Sequence, residues 1–558
     1  MSLIATTVSA QTAAPAQALY DRYFDEYYFP NNPTSATATG IHKYDGQLED
    51  YSKAGVDKRT AALKKWESEF AKVAVSSDRE RADRDLMLNS VRDNLLELET
   101  IRMWQRNPDV YSSGLATSAF VIMSRTFASP EERLKSLTAR ERLMPQVLTD
   151  ARANLKNPPR IYTEVAIEQL PGNISLFEND VPLAFKAVTD AKLLADFHAA
   201  NNAVIAALRD YEKWLKSDLL PRSKGDFRLG AANFTKKLAL EEMVDIPLSR
   251  LLEIGYQNLH DNQKRFAETA ARIDPSKTPR QILDELEKDH PTGDGLLGAF
   301  RDTLQGLKDF IEAHKIVTIP SEVLPILEET PPFMRALTSA SMDTPGPYET
   351  VAKEAFFNVT LPEKDWPADR AEDWLRSFHR GVILSTAIHE AYPGHYVQFL
   401  WMQHVDSRVR KLVGANSNAE GWAHYSEQMM LDEGYASGDP RMRLGQLQDA
   451  LLRNARFIVG IEMHTGKRSF ESGVEFFEKE GYQTHETAMR ETKRGTSDPT
   501  YLYYTLGKLQ ILKLREDYRK LKGAAFSLQE FHDSFMKQGY PPIKIVRRAL
   551  LGDDSPTL

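Results

Sequence analysis

Apolar residues recur at intervals of three and four along most of this 558-residue chain, and that period limits the structure it can form. Leu248, Leu251, Leu252, Gly255 and Leu259 trace one such stripe, and Leu296, Phe300, Leu304, Leu307 and Ile311 another. Each covers one face of a helix turned toward a core. The expected fold is mainly α. Strand signals are few: residues 315–319 (KIVTI) and 355–361 (AFFNVTL) have the make-up of short strands, each closed by a proline. Pro and Gly gather at 156–172, 218–230 and 325–347, which read as connections between helical blocks. The expected organisation is a leader remnant over 1–17, a helical N-terminal half over 18–330 and a helical C-terminal half over 331–558. The halves form one continuous domain or two packed subdomains.

The net charge of −8 and the lack of a long basic run argue against a nucleic-acid partner. No apolar run reaches the roughly 18 residues of a membrane span. Without cysteine there are no thiolate ligands, disulfides or cysteine nucleophile. Residues 3–10 (LIATTVSA) followed by Gln11 read like the tail of a secretory signal, so a periplasmic or secreted location is expected.

The stretch 389–396, HEAYPGHY, resembles the zinc motif H-E-x-x-H but sets its histidines six apart. A helix is expected to enter it, since Trp374, Leu375, Phe378 and Val382 share a face and Asp369, Glu372 and Asp373 occupy its early turns. On a regular helix His395 would be rotated about 240° from His389 and displaced about 9 Å along the axis, too far to share one ion. Pro393 removes the donor that would reach the His389 carbonyl and crowds that carbonyl, so the helix should fail there. Gly394 supplies unusual backbone freedom. If Tyr-Pro-Gly loops outward, His389 and His395 regain the i, i+4 relation.

Catalytic zinc normally takes three protein ligands. In residues 417–431 (SNAEGWAHYSEQMML), Glu420, His424, Glu427 and Leu431 share a helical face. Glu420 is the candidate third ligand, although Ser417-x-x-Glu420 also fits a capping box. His424 and Glu427 fit groups that orient the ligands, or a polar pair satisfying itself.

HEAYPGH followed by EGWAHY resembles the signature of the bacterial family catalogued as domain of unknown function 885, whose members are similar to helical gluzincin zinc metallopeptidases. Residues 33–52, 228–234, 456–464 and 503–508 are similar to further blocks of that family, so the resemblance covers nearly the whole chain. Arg494-Gly495 departs from the Arg-Tyr expected there. The resemblance implies a large helical zincin-like fold with a deep cleft and a few short β-strands, one zinc ion per chain held by His389, His395 and Glu420, and Glu390 as general base. Zinc in such a site activates water for amide hydrolysis.

Tyr504 and His464 are candidate oxyanion donors, against the alternative of core residues with satisfied polar groups. Phe357 and Asn358 lie in a segment that fits an edge strand to which an extended peptide adds. Arg456 and Lys508 are candidates for binding a substrate carboxylate. The leading expectation is a zinc metallopeptidase acting on a peptide or small amide substrate. The alternatives are a metal-dependent hydrolase of a non-peptide amide and a non-catalytic peptide- or metal-binding protein.

Overall fold

The structure, a computed structural model, describes residues 15–335 and 338–558, so most of the expected leader lies outside the described residues. Helix begins inside the expected 1–17 segment, at Pro15–Tyr23, with Ala16 buried. The described chain is a large helical fold with one small sheet.

Four large apolar cores organise it, and the sequence boundary at residue 330 is not one of their borders. One gathers residues from Ala16 to Leu95 and also takes Val409 and Ile545. A second runs from Tyr111 to Leu219 and also takes Phe333 and Ala352. A third joins Phe234–Leu283 segments to side chains between Leu444 and Leu506. The fourth joins the 296–311 stripe to side chains as far as Val546. The two stripes read from the sequence therefore bury against C-terminal helices. Leu251, Leu252, Gly255 and Leu259 face the long arginine helix, Pro440–His464, and the whole set Leu296, Phe300, Leu304, Leu307 and Ile311 is buried. Each fully buried Leu, Ile or Phe contributes about 1.5–3 kcal/mol of gross burial energy.

Three short strands form the sheet, β1 (Ile326–Glu329), β2 (Ala340–Asp343) and β3 (Phe356–Val359), in the order β1-β3-β2. β1 runs parallel to β3 and β2 antiparallel, with Ser341 opposite Asn358. The expected strand over 355–361 is thus present but central, and β2 holds an outer position. Residues 315–319 are not a strand. They form an irregular segment whose main chain is held by side chains: Trp401 donates to the Thr318 carbonyl and Asp533 accepts from the Thr318 N–H. The 156–172 connection is also corrected, since Arg160–Ser175 is helical despite Pro171. Burial of Tyr162, Val165, Ala166 and Leu170 outweighs the weak local preference. The 325–347 segment carries β1 and β2.

Candidate metal centre

Two short helices enter the motif where one was expected, Ala368–Arg376 and the motif helix Arg380–Glu390. The ladder then fails where Pro393 lies. Tyr392 N–H reaches back five residues to the Ala387 carbonyl at 3.3 Å, and Gly394 N–H reaches six residues back to Ile388 at 3.0 Å. A new helix starts at His395 and runs to Met402. Gly394 is required here: a Cβ on it would lie 1.8 Å from the His389 carbonyl oxygen. The Trp422 indole donates to the Pro393 carbonyl at 2.8 Å and closes the outward loop.

This bulge turns both imidazoles to one point. Their ring centroids are 4.8 Å apart at 87°. Glu420 Oε2 lies 3.3 Å from His389 Nε2 and 3.1 Å from His395 Nε2. One donor atom from each of the three residues falls within 4.8 Å of the others. Two imidazoles and a carboxylate match the ligand set of catalytic zinc, so these residues fit the ion.

Glu420 sits on the glutamate helix, Asn416–Asp432, and does not cap it. The first amides of that helix, Asn416 and Ser417, donate instead to the buried Glu242 carboxylate, both at 3.1 Å. Burial lifts that carboxyl to about 7. Glu420 is thereby free to face the histidines. Its Oε1 accepts from the Tyr504 hydroxyl at 3.1 Å, which in turn accepts from Arg494 at 3.0 Å. Close helix crossings make these contacts possible. Gly421 meets Gly507 of the tyrosine helix, Tyr503–Lys522, and Gly381 of the motif helix meets Gly445 of the arginine helix. A Cβ on Gly507 or Gly445 would approach the facing backbone to 1.9 or 2.2 Å.

Glu427 is the buried hub behind the centre. Its Oε1 accepts from His389 Nδ1 at 2.7 Å and from Arg453 at 3.0 Å, and its Oε2 accepts from His424 Nδ1 at 3.0 Å. With its Nδ1 proton held there, His389 presents Nε2 to the shared point. Burial alone would raise Glu427, but Arg453, His424 and His389 outweigh it and hold it well below the ordinary carboxylate range. Burial likewise depresses His424, which stays a neutral donor. His389 is disfavoured as a cation by burial, yet the hydrogen bonds to Glu420 and Glu427 push it up to about 9. Glu390 is 7% exposed, its Oε2 has no protein partner, and burial raises its carboxyl. His389, Glu390, His395, Glu420 and Tyr504 all line one cleft of ≈ 600 Å³.

The family described as "Bacterial protein of unknown function (DUF885)" matches residues 33–550. The chain belongs to that family. Two solved structures share its fold. A candidate lipoprotein of unknown function from Shewanella oneidensis is 27% identical, with a TM-score of 0.78 over 97% of this chain and 100% of that one. A candidate lipoprotein from Colwellia psychrerythraea is 18% identical, with a TM-score of 0.81 over 97% and 99%. No curated protein matches the chain. None of the described helices is long and apolar enough to cross a membrane.

Other expected site residues of this DUF885 member fall elsewhere. His464 lies at the end of the arginine helix, about 12 Å of helix beyond Arg456, outside the cleft. Its Nε2 donates to the Gly495 carbonyl at 2.8 Å and its Nδ1 accepts from Leu229 N–H at 3.4 Å, so neither nitrogen is left for substrate. Burial lowers it to about 4. Phe357 is fully buried against Phe300, with centroids 5.3 Å apart. Asn358 lines a separate ≈ 290 Å³ cavity, and β3 has both edges paired, so no peptide can add to it. The free edge beside the metal point belongs to β2, whose Ala340, Ser341 and Met342 line the cleft. Lys508 is buried outside the cleft lining, and burial pulls it down to about 8. Arg456 does line the cleft, but it is clamped on Glu491 at 2.5 and 2.8 Å.

Sequence reading missed Arg453, Glu242 and the paired glycines. Arg453 and Arg456 interrupt an otherwise apolar run (ALLRNARFIVG), and charges inside such a run signal a buried network. Glu242 had no such signal, because its role depends on a helix 174 residues away.

Proposed function

We propose that the chain is a zinc-dependent hydrolase of peptide or small amide bonds, working at His389, His395 and Glu420. The observation that carries this reading is the convergence of those three donors beside the unpartnered, buried Oε2 of Glu390. When bound, zinc supplies a Lewis acid that polarises a carbonyl and makes water more acidic at neutral pH. The chain's own residues do the rest. Glu390 takes the proton of the attacking water and returns it to the departing nitrogen. Glu427 fixes the His389 tautomer and ring angle, and Arg453 and His424 fix Glu427 in turn. Tyr504 orients Glu420 through its hydroxyl and, on a small rotation, offers that donor to the oxyanion of the substrate. The cleft wall of β2 gives an extended substrate a main-chain edge. We place the activity outside the cytoplasm, a reading supported by the description of the 27%-identical relative as a candidate lipoprotein.

Metal analysis and hydrolysis of a mixed-sequence peptide library test the reading together. The expected result is one zinc per chain and cleavage that Glu390→Gln abolishes while leaving the metal in place. A protein that binds no zinc, or a Glu390→Gln variant that cleaves as fast as wild type, overturns it.

A further inference from the structure

Four arginines line the cleft: Arg453, Arg456, Arg490 and Arg494. Three of them hold carboxylates. Arg453 grips Glu427 at 3.0 Å, Arg456 grips Glu491 at 2.5 Å and Arg494 grips Asp498 at 3.1 Å. Arg490 has no carboxylate partner among the described residues. The carboxylates whose fields reach it are Glu486, Glu491 and Glu168, and each is taken by another cation. Glu486 binds Arg370 at 2.6 Å, Glu491 binds Arg456, and Glu168 binds Lys493 at 2.7 Å.

Arg490 is nonetheless 7% exposed. Its Nη1 donates to the carbonyls of Arg335 and Thr338, its guanidinium lies 4.1 Å from the centre of the Trp374 ring, and its Nε is buried with no partner among the described residues. Burial pulls the group down to about 10, which leaves it charged at neutral pH. A buried guanidinium held by carbonyls and an aromatic face, with donors to spare, suits a carboxylate that arrives with a ligand.

The direction of β2 says which carboxylate. The Ser339 carbonyl accepts from Thr360 N–H at 2.9 Å, so the alternation of an antiparallel ladder turns the main-chain groups of Ala340 and Met342 to the free edge. A peptide adding antiparallel along that edge ends, at its carboxyl terminus, beside residues 338–340. Arg490 holds the Thr338 carbonyl at that end, at 3.1 Å. A parallel peptide would bring its ammonium group to the same cation, so charge selects the antiparallel direction.

We propose that Arg490 is the anchor for the free C-terminal carboxylate of a peptide substrate, which makes the enzyme one that works from the carboxyl end of short peptides. This rests on the hydrolase reading above. In the reaction, water adds across one amide: the C–N bond breaks, the carbonyl carbon gains the hydroxyl, and the nitrogen gains the proton. Arg490 touches only the terminal carboxylate and is a specificity residue, not a base or acid.

The test separates anchoring from cleavage. Zinc-loaded Glu390→Gln protein is immobilised and equilibrated with an equimolar tetrapeptide library made as free acids and as C-terminal amides, and the retained peptides are read by mass spectrometry. Acids are expected to be enriched roughly 10- to 100-fold, the worth of one charge-assisted pair. Adding Arg490→Gln brings the acid-to-amide ratio to about one, whereas Arg490→Lys, which keeps the charge without the planar fork, retains part of it. If the Gln variant fails to fold, the ratios of the parent and the Lys variant decide. A parent ratio near one, retention of neither form, or a ratio that survives Arg490→Gln overturns the anchor. Acids retained by the parent but left uncut by the wild-type enzyme would sink the hydrolase reading and leave the anchor standing.

Discussion

Gly394→Ala is the sharpest perturbation of the centre, because it adds one methyl group and leaves every proposed ligand side chain in place. The new Cβ would lie 1.8 Å from the His389 carbonyl oxygen and 2.4 Å from that of Ile388, where real Cβ contacts stay above 3.0 Å. One side must therefore yield by at least 3.0 − 1.8 = 1.2 Å. The carbonyl that yields belongs to His389, a proposed ligand, and its displacement carries the imidazole. Metal–ligand distances tolerate only about 0.2 Å, and a misplacement of about 1 Å costs on the order of 100-fold in rate. The expected outcome is a loss of zinc affinity of about 100-fold or more, a matching fall in kcat/KM, and a stability cost of about 1–3 kcal/mol from steric overlap. Competition with a chelator of known affinity reads the first, peptide-library turnover the second and calorimetry the third. Gly434→Ala is the control: its φ of +105° strains an alanine, yet nothing lies within 4 Å, so stability falls and zinc affinity holds. If Gly394→Ala bound zinc as tightly as wild type, the claim that this bulge sets the ligand geometry would be wrong.

Two further outcomes follow from buried carboxylates. Glu427→Gln takes the charge off the 3.0 Å partner of Arg453, which keeps Asp449 at 3.5 Å, and weakens the hold on His389; zinc affinity should fall about 10- to 100-fold, with about 1–3 kcal/mol of stability lost. A chelator titration that shows no change would remove Glu427 from the centre. Glu141 is remote from the cleft and fully buried, with neither oxygen partnered, and burial lifts its carboxyl from 4.5 to about 9. The folded state keeps a proton that the unfolded state releases above 4.5, so this group's contribution is full below that pH and is lost as pH rises toward 9. By pH 7 the cost is about 3 kcal/mol, from 1.36 kcal/mol per unit over about 2.5 units. Glu141→Gln should therefore match wild type near pH 4.5 and unfold at higher temperature at pH 8. A calorimetric difference that does not change with pH would refute this.

The sequence by itself determined the helical class, the donor types of the candidate centre and the place where its helix breaks. The three-and-four period needs only local geometry, and Pro393 cannot give a hydrogen bond in any tertiary setting. The same locality explains the stripes 248–259 and 296–311, which bury as read. Tertiary structure decided everything that rests on which segments meet. The segment 355–361 reads as an edge strand; pairing on both sides made its β3 central and left the outer positions to β1 and β2. Arg456 and Arg490 are alike as letters, and only the packing shows that Glu491 occupies the first and that no carboxylate among the described residues occupies the second. Glu420 reads both as a cap and as a ligand until Glu242, distant in sequence, takes the capping role. A residue type fixes what a side chain can donate, accept or coordinate, while its partner is fixed by contacts between distant segments, and the roles in this cleft are roles of partnership.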